Sequence, residues 1–418
     1  MFIRIVPALS LLAGAAAPAW PQQPASPPAP VDQAELQKAL EADAAQAKAT
    51  MGAAPPPAPP EAAGAPAFLQ SMNPDISLIT GVALGWFSRD QHHQSGGHDP
   101  TKTGFNLQQV EMSLHKSVDP YFRFDSYIVF GQFGVEIEEA YATTISLPWN
   151  LQARAGQFLT RFGRINPTHP HQWDFVDQPF ALGRVFGGEG NRGLGFELSH
   201  LLPLPWYAEI IASVTDPVGE ATARTFYGAR DLGIRTPFDF QSTLALKQFF
   251  PLSDDWSLLW GLSGAAGPNP TGHGNRSEIF GTDLYLKYRP ISRGGNTTVS
   301  LQTEWFYRRR QVPEDVLQDV NGYAYLFWRF ALRWAAAARY EHGSPTWAMT
   351  GRNPGDYLDS YWTDHRHRAS ANVTFWPSEF SRIRLQGSSD AIGWESRVNL
   401  AVFLAFEVAI GAHGAHRF

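Results

Sequence analysis

The sequence predicts an all-β protein: a transmembrane antiparallel β-barrel of about 16 strands, with 14 or 18 as neighbouring alternatives, behind a Pro- and Ala-rich N-terminal tail. Three observations carry this expectation: the composition, an export-type N-terminus, and a period-two alternation of apolar and polar residues from Asn73 onward. Of 418 residues 44% are hydrophobic but only 17% are charged, against roughly 25% charged in soluble domains. Mean hydropathy is nevertheless -0.25, and the long apolar run is confined to the extreme N-terminus, which excludes a bundle of transmembrane helices. The apolar content resides in 14 Trp, 13 Tyr and 28 Phe set among 37 Gly, as strands with one greasy face require. Zero Cys excludes disulfides, thiolate metal sites and cysteine nucleophiles, and suits export through an oxidising compartment. A net charge of -6 implies no nucleic-acid partner.

Residues 1–19 read as a signal peptide. Met1 to Arg4 supply a basic start, Ile5 to Ala16 an apolar stretch too short to span a bilayer, and Ala17-Pro18-Ala19 the small residues of a cleavage site. The segment 20–73 reads as a periplasmic tail, because the runs Pro24 to Pro30 and Pro55 to Pro60 resist packing. Between those runs 31–51 places Val31, Leu36, Leu40 and Ala44 near helical spacing, with Asp32 and Glu35 imitating a capping box; a short helix and a fraying spacer are both compatible with it.

From 74 to 418 the pattern is that of a barrel. In one segment Ala369, Ala371, Val373 and Phe375 alternate with Arg368, Ser370, Asn372 and Thr374. Val299, Leu301, Trp305 and Tyr307 do the same against Ser300, Gln302, Glu304 and Arg308. Alternating segments fall near 75–88, 103–117, 121–131, 135–147, 151–159, 192–202, 206–214, 240–250, 256–266, 278–290, 297–310, 321–329, 333–342, 366–375, 381–389 and 395–410. An even number of strands returns the chain to the periplasmic side, and the connections alternate short and long as in bacterial barrels, the short 132–134 excepted. Trp149, Trp206, Trp256, Trp334 and Trp376 each lie beside a tight junction, as an interfacial aromatic girdle on one rim would place them. Phe418 supplies the terminal aromatic that barrel-assembly machinery reads, and outer-membrane lipid is the expected surround. A homotrimer is compatible with this reading.

The stretches EEAYATT from Glu138, SLPWNLQARAGQFLTRFGRINPTHPHQWDFVDQP, GEGNRGLGFELSHLLPLPWY and the terminal GAHGAHRF resemble a bacterial outer-membrane family described as zinc-regulated TonB-dependent outer-membrane receptors. The resemblance covers most of the barrel and implies an outer-membrane location and a connection to zinc. The Pro- and Ala-rich segment before the barrel does not read as the plug domain of such receptors.

Candidate functional residues fall into three sets. His92, His93, His98, His169, His171, His365 and His367 lie in or beside long connections and are expected to face outside, where neutral imidazoles would suit Zn²⁺. No cofactor is required, and Zn²⁺ is the one ion these residues suggest. The later strands present a basic wall of Lys287, Arg289, Arg308, Arg333, Arg339, Arg368, Arg382, Arg384 and Arg397. Glu111, Asp125, Glu197 and Glu209 of the earlier strands face them, so a transverse field across the pore is expected. The connection 160–191 is far longer than ordinary loops and carries Pro167, Pro170 and Pro179 with Trp173, Phe175, Phe180 and Phe186. It is expected to fold inward and constrict the pore through Arg161, Arg164, Asp174, Asp177, Arg184 and Glu189. Catalysis is not expected: G-x-S-x-G is absent, and Asp174 near His171 is no more than two polar loop residues. The overall expectation is a porin-like channel for small hydrophilic solutes or ions, with zinc among them. A TonB-linked metal receptor and a closed structural or adhesive barrel are the alternatives.

Overall fold

A strand that shows lipid one face and water the other must bury its polar residues, and the computed structural model of the protein does this throughout. It describes residues 74–89, 96–131, 134–217, 225–228, 232–290, 297–352 and 359–411. The chain divides into two units, Met1–Ala67 and Phe68–Phe418, and the barrel belongs to the second. The expectations for 1–19, 20–73 and 31–51, for His92 and His93, and for Phe418 lie outside the described residues.

The strands are β1 (Asp75–Phe87), β2 (Gly104–Ser117), β3 (Phe122–Phe130), β4 (Val135–Thr144), β5 (Leu151–Leu159), β6 (Arg192–Leu201), β7 (Tyr207–Thr215) and β8 (Gln241–Pro251). They continue as β9 (Trp256–Pro268), β10 (Arg276–Tyr288), β11 (Thr298–Val312), β12 (Asp315–Ala331), β13 (Trp334–Gly343), β14 (Trp347–Ala348), β15 (Arg366–Ser378), β16 (Ser381–Ile392) and β17 (Asn399–Gly411). Each long strand pairs antiparallel with the next, and β17 pairs back on β1 from Ser77↔Gly411 to Phe87↔Ala401, so 16 strands close into a barrel. The two-residue β14 only lies against β12 beyond the end of β13. Closure leaves no unpaired edge, the condition for a sheet in hydrocarbon.

Burial is the inverse of a soluble sandwich. Along β15 Arg368, Ser370, Asn372 and Thr374 are buried while Ala369, Ala371 and Val373 are exposed. Along β17 Leu400, Val402, Leu404 and Phe406 face out and Asn399 and Glu407 face in. At the end where the chain enters, connections are tight; at the other end lie 88–103, 160–191, 216–240 and 344–365. Trp149, Trp206, Trp256 and Trp334 are exposed on the short-turn rim. Trp376 corrects the girdle expectation: it is buried in the lumen, with the Arg329 guanidinium 4.9 Å from its ring centroid.

One strand departs from the sequence pattern. β12 begins at Asp315, not near 321, because Val312 pairs with Asp315 across a two-residue turn whose Glu314 has φ 67°. This hairpin carries Arg309, Gln311 and Gln318 on its outer face, so the apolar contrast that marks a strand in lipid is lost there. The register also shifts at four places, two of them beside short turns, between Arg329 and Ala331 of β12 and between Phe375 and Ser378 of β15, and two, both β-bulges, within the wall. Between β1 and β2 the register steps from Gly81↔Gln109 to Val82↔Leu107, and between β3 and β4 from Tyr127↔Glu139 to Ile128↔Ile137, which leaves Gln108 and Glu138 as the extra residues.

The outward face gives a stability prediction. Leu404 lies mid-strand between Leu84 and Leu385, so Leu404→Arg should cost about 2–4 kcal/mol of folding free energy in a bilayer. Urea refolding into lipid vesicles measures it; an unchanged midpoint would show that this face is not lipid-covered.

Candidate functional site

The connection 160–191 lies inside the barrel. A loop there has to satisfy its backbone groups without bulk water, and the wall supplies side chains for them. Gly163 N–H donates to Ser263 Oγ at 3.0 Å on β9, and Ile165 N–H to Glu304 Oε1 at 2.7 Å on β11. Val176 N–H donates to Gln386 at 2.8 Å and Phe180 N–H to Glu341 at 2.6 Å. Arginines of the wall take the carbonyls: Arg382 donates to His171 O at 2.8 Å and to Trp173 O at 2.9 Å, and Arg384 to Trp173 O at 2.9 Å and Phe175 O at 2.6 Å. Gly163, at φ 59°, is required: a Cβ there would lie 2.4 Å from Glu304 Oε2. Phe162, Ile165, Trp173, Phe175 and Phe186 seat against Ile279, Phe306, Tyr323 and Tyr325 of the wall in one apolar cluster. A short helix, α1 (Phe180–Phe186), ends the inward excursion with every residue buried.

The charged residues assigned to the constriction occupy different places. Arg184 is fully buried and donates to Asp359 at 3.1 Å, Asn321 at 2.8 Å and Ser344 O at 2.6 Å, with Trp362 against its plane. Asp177 accepts from Arg339 at 2.7 Å and pairs with Arg368 at 3.2 Å. Burial would raise its carboxyl, but these two guanidiniums outweigh that and hold it at about 2. Arg161 bridges Glu197 at 2.9 Å and Glu209 at 2.8 Å, and Glu189 lies 3.4 Å from His98. Arg164 and Asp174 line the main cavity, Arg164 stacked 3.8 Å from the Tyr285 ring centroid.

The basic wall is partly redrawn. Arg308, Arg339, Arg368, Arg382 and Arg384 do face the lumen, paired with Asp319, Glu341, Asp177 and Glu407 and with loop carbonyls. Lys287 lines the cavity at the short-turn end. Arg289, Arg333 and Arg397 are exposed in connections and form no part of the wall, because the strands end before reaching them. The cavity is about 1000 Å³ and lies on the short-turn side of the loop. On the other side the described residues enclose small chambers of about 30 Å³, one lined by Asp99, Arg368 and Asp390 and another by His98, Glu138 and His169.

The histidines are the main correction. His98, His169 and His171 do not face outside; they are inward and largely buried. The segment 96–103 also turns in: Gly97 N–H donates to Gly188 O at 3.0 Å, and a Cβ on Gly97 would lie 1.7 Å from Glu189 Oε1. The bulge at Glu138 turns both Glu138 and Glu139 inward. His169 lies between them, Nδ1 3.0 Å from Glu138 Oε2 and Nε2 2.8 Å from Glu139 Oε1, and stacks on Tyr127 at 4.2 Å. His98 Nε2 is 2.7 Å from the other Glu138 oxygen, and its Nδ1 is 3.2 Å from Gln108 O at the first bulge. Glu111 Oε2 is 3.4 Å from both His169 and His171. Burial would lower the affinity of His98 and His169 for a proton, but the surrounding glutamates raise both well above the ordinary histidine value. The cluster separates the large cavity, lined by Glu111 and His171, from a small chamber lined by His98, Glu138, His169 and Glu189. His365 and His367 gather instead with His342 at the long-loop end, around the outward-turned His342 and His367. Sequence reasoning missed Glu138, Glu139 and His342; the EE doublet inside an alternating strand was the available signal.

A protein of Aquifex aeolicus (strain VF5), described as uncharacterized, is 32% identical over 389 residues, covering 82% of this chain and 80% of that one. The chain belongs to the same family as this Aquifex protein. No protein-family model matches it. Among solved structures the chain is similar in fold to Pseudomonas putida OprB (TM-score 0.54, 11% identity, 82% of this chain and 96% of that one). The outer-membrane channel DcaP of Acinetobacter baumannii is also similar (TM-score 0.52, 11% identity, 81% and 98%). So is an anion-selective porin from Comamonas acidovorans (TM-score 0.51, 8% identity, 81% and 99%). At these identities the likeness is one of fold, and none of the comparisons supports the description as a zinc-regulated receptor.

Arg184→Ala tests the anchoring of the loop. Removing this guanidinium leaves Asp359 and Asp319 with one partner fewer in a dry setting, an expected loss of about 3–5 kcal/mol with new protease cleavage in 160–191. Limited proteolysis of the folded variant reads it; an unchanged digest would show that α1 is held by packing alone.

Proposed function

We propose that the chain is a porin-type channel of the bacterial outer membrane, exported by its N-terminal signal peptide, that passes ions and small hydrophilic solutes by diffusion. The carrying observation is the inward loop, pinned to the wall by Arg339, Arg368, Arg382 and Arg384, which divides the bore into a 1000 Å³ vestibule and chambers of about 30 Å³. A chamber of that size holds about two waters, so the described residues around these chambers pack closely against the loop. The fold shared with OprB, DcaP and the Comamonas porin supports the same reading. The narrowness also favours a second reading, a sealed structural barrel. Stepwise single-channel currents in planar bilayers decide between them, since a sealed barrel gives none.

Deleting 167–177 should raise single-channel conductance severalfold; an unaltered value in a folded deletion protein would remove the loop from that role. Joint replacement Arg382→Ala and Arg384→Ala frees the carbonyls of His171, Trp173 and Phe175 and removes two positive charges. It should raise conductance and shift the reversal potential toward cations, and an unmoved reversal potential would count against the basic sector.

A further inference from the structure

We propose that the glutamate–histidine cluster between the inward-turned connections 88–103 and 160–191 binds divalent transition-metal cations, with Glu138 bridging two adjacent positions. His98, Glu138 and Glu189 frame the first, and His169, Glu138 and Glu111 the second; in each set one donor atom per residue lies within 4.8 Å of the others. A tetrahedral ion about 2.1 Å from nitrogen and oxygen donors spaces them roughly 3.4 Å apart. The His98–Glu189 and His169–Glu111 separations are 3.4 Å, with Glu138 at 2.7 Å from His98 and 3.0 Å from His169.

Three features distinguish this from a chance gathering of acids. The far nitrogen of each imidazole is already anchored, His98 Nδ1 by Gln108 O and His169 Nε2 by Glu139, as the second partners of metal-bound histidines anchor theirs. With those nitrogens donating, the nitrogens that face Glu138 meet only acceptors, so a cation has to lie between them, either a proton or a metal ion. Glu111 is fully buried, and neither of its oxygens accepts a well-aligned hydrogen bond, which leaves its lone pairs available to the second position. Four carboxylates (Glu111, Glu138, Glu139, Glu189) face three imidazoles, a set that stays negative even with every imidazole protonated. Imidazole with carboxylate and without thiolate suits Zn²⁺ and its first-row neighbours better than Mg²⁺ or Ca²⁺. Binding stands on these groups alone; that a bound ion also lies on the permeation path rests on the channel reading above.

The test uses the full-length chain refolded in detergent, with His342, His365 and His367 replaced by Gln so that the rim histidines do not contribute. Zn²⁺ is titrated by calorimetry and Co²⁺ by visible absorption. Saturable binding at micromolar metal is expected, with a Co²⁺ spectrum of nitrogen and oxygen ligands, and a weakening of roughly tenfold or more in Glu138→Gln. Heat-modifiable migration on gels reports folding. Should Glu138→Gln not fold, His98→Gln, which touches only the first position, is expected to leave the second alone occupied. No saturable binding by the folded protein overturns the site, and so does binding unchanged in the folded variants. Single-channel currents, recorded separately, bear on the channel reading and not on this one.

Discussion

A backbone folded into a dry bore cannot leave its N–H and C=O groups unmatched, and most of this molecule follows from that constraint. The 160–191 segment makes few backbone contacts with the strands around it, so its partners are wall side chains. That accounts for an interior of Arg, Glu, Gln and Asn at lumen-facing positions where a barrel filled only by its own side chains would use small or apolar ones. Arginine is suited to the task because its planar fork satisfies two carbonyls and a carboxylate at once, as Arg382 does with His171, Trp173 and Glu407. The aromatics of the loop then fill the remaining volume, and the Gly163 and Gly97 close approaches fix its path.

Two of the departures from regular pairing lie within the wall rather than beside a short turn, and they fall where chemistry is concentrated. The bulges in β2 and β4 adjoin one cluster: that in β2 presents the Gln108 carbonyl to His98, and that in β4 turns two consecutive glutamates inward. Without the extra residue Glu138 would point to lipid and away from both histidines. The bulge is what allows one carboxylate to meet His98 and His169 with its two oxygens.

The barrel was legible because lipid makes the outer face uniformly apolar, so period two survives in nearly every strand. Legibility failed where lipid no longer dictates the outer face: the β11–β12 hairpin beyond the apolar band, and Trp376, whose phase relative to the turn decides between girdle and lumen. The content of the 160–191 loop signalled packing, since Pro and large rings are wasted in water. Its partners were not readable, because Asp177 with Arg339 or Arg184 with Asp359 are separated by more than 150 residues and meet only through closure of the barrel. For the same reason His98, His169 and His171 read as exposed loop histidines: local sequence carries no sign that two loops turn inward together.

The field across the bore also differs from a simple opposition of walls. In the sector of β13 to β17 five guanidiniums, Arg339, Arg366, Arg368, Arg382 and Arg384, meet four carboxylates, Glu341, Asp177, Asp390 and Glu407, so little net positive charge remains. The cluster of Glu111, Glu138, Glu139 and Glu189 has no guanidinium of comparable proximity among its ion pairs and is balanced only by imidazoles, whose charge is variable. Buried charges are weakly screened, so the charge state of these imidazoles decides how far this sector departs from neutrality. The net charge of the lumen therefore depends less on how many basic residues face it than on what neutralises these four glutamates.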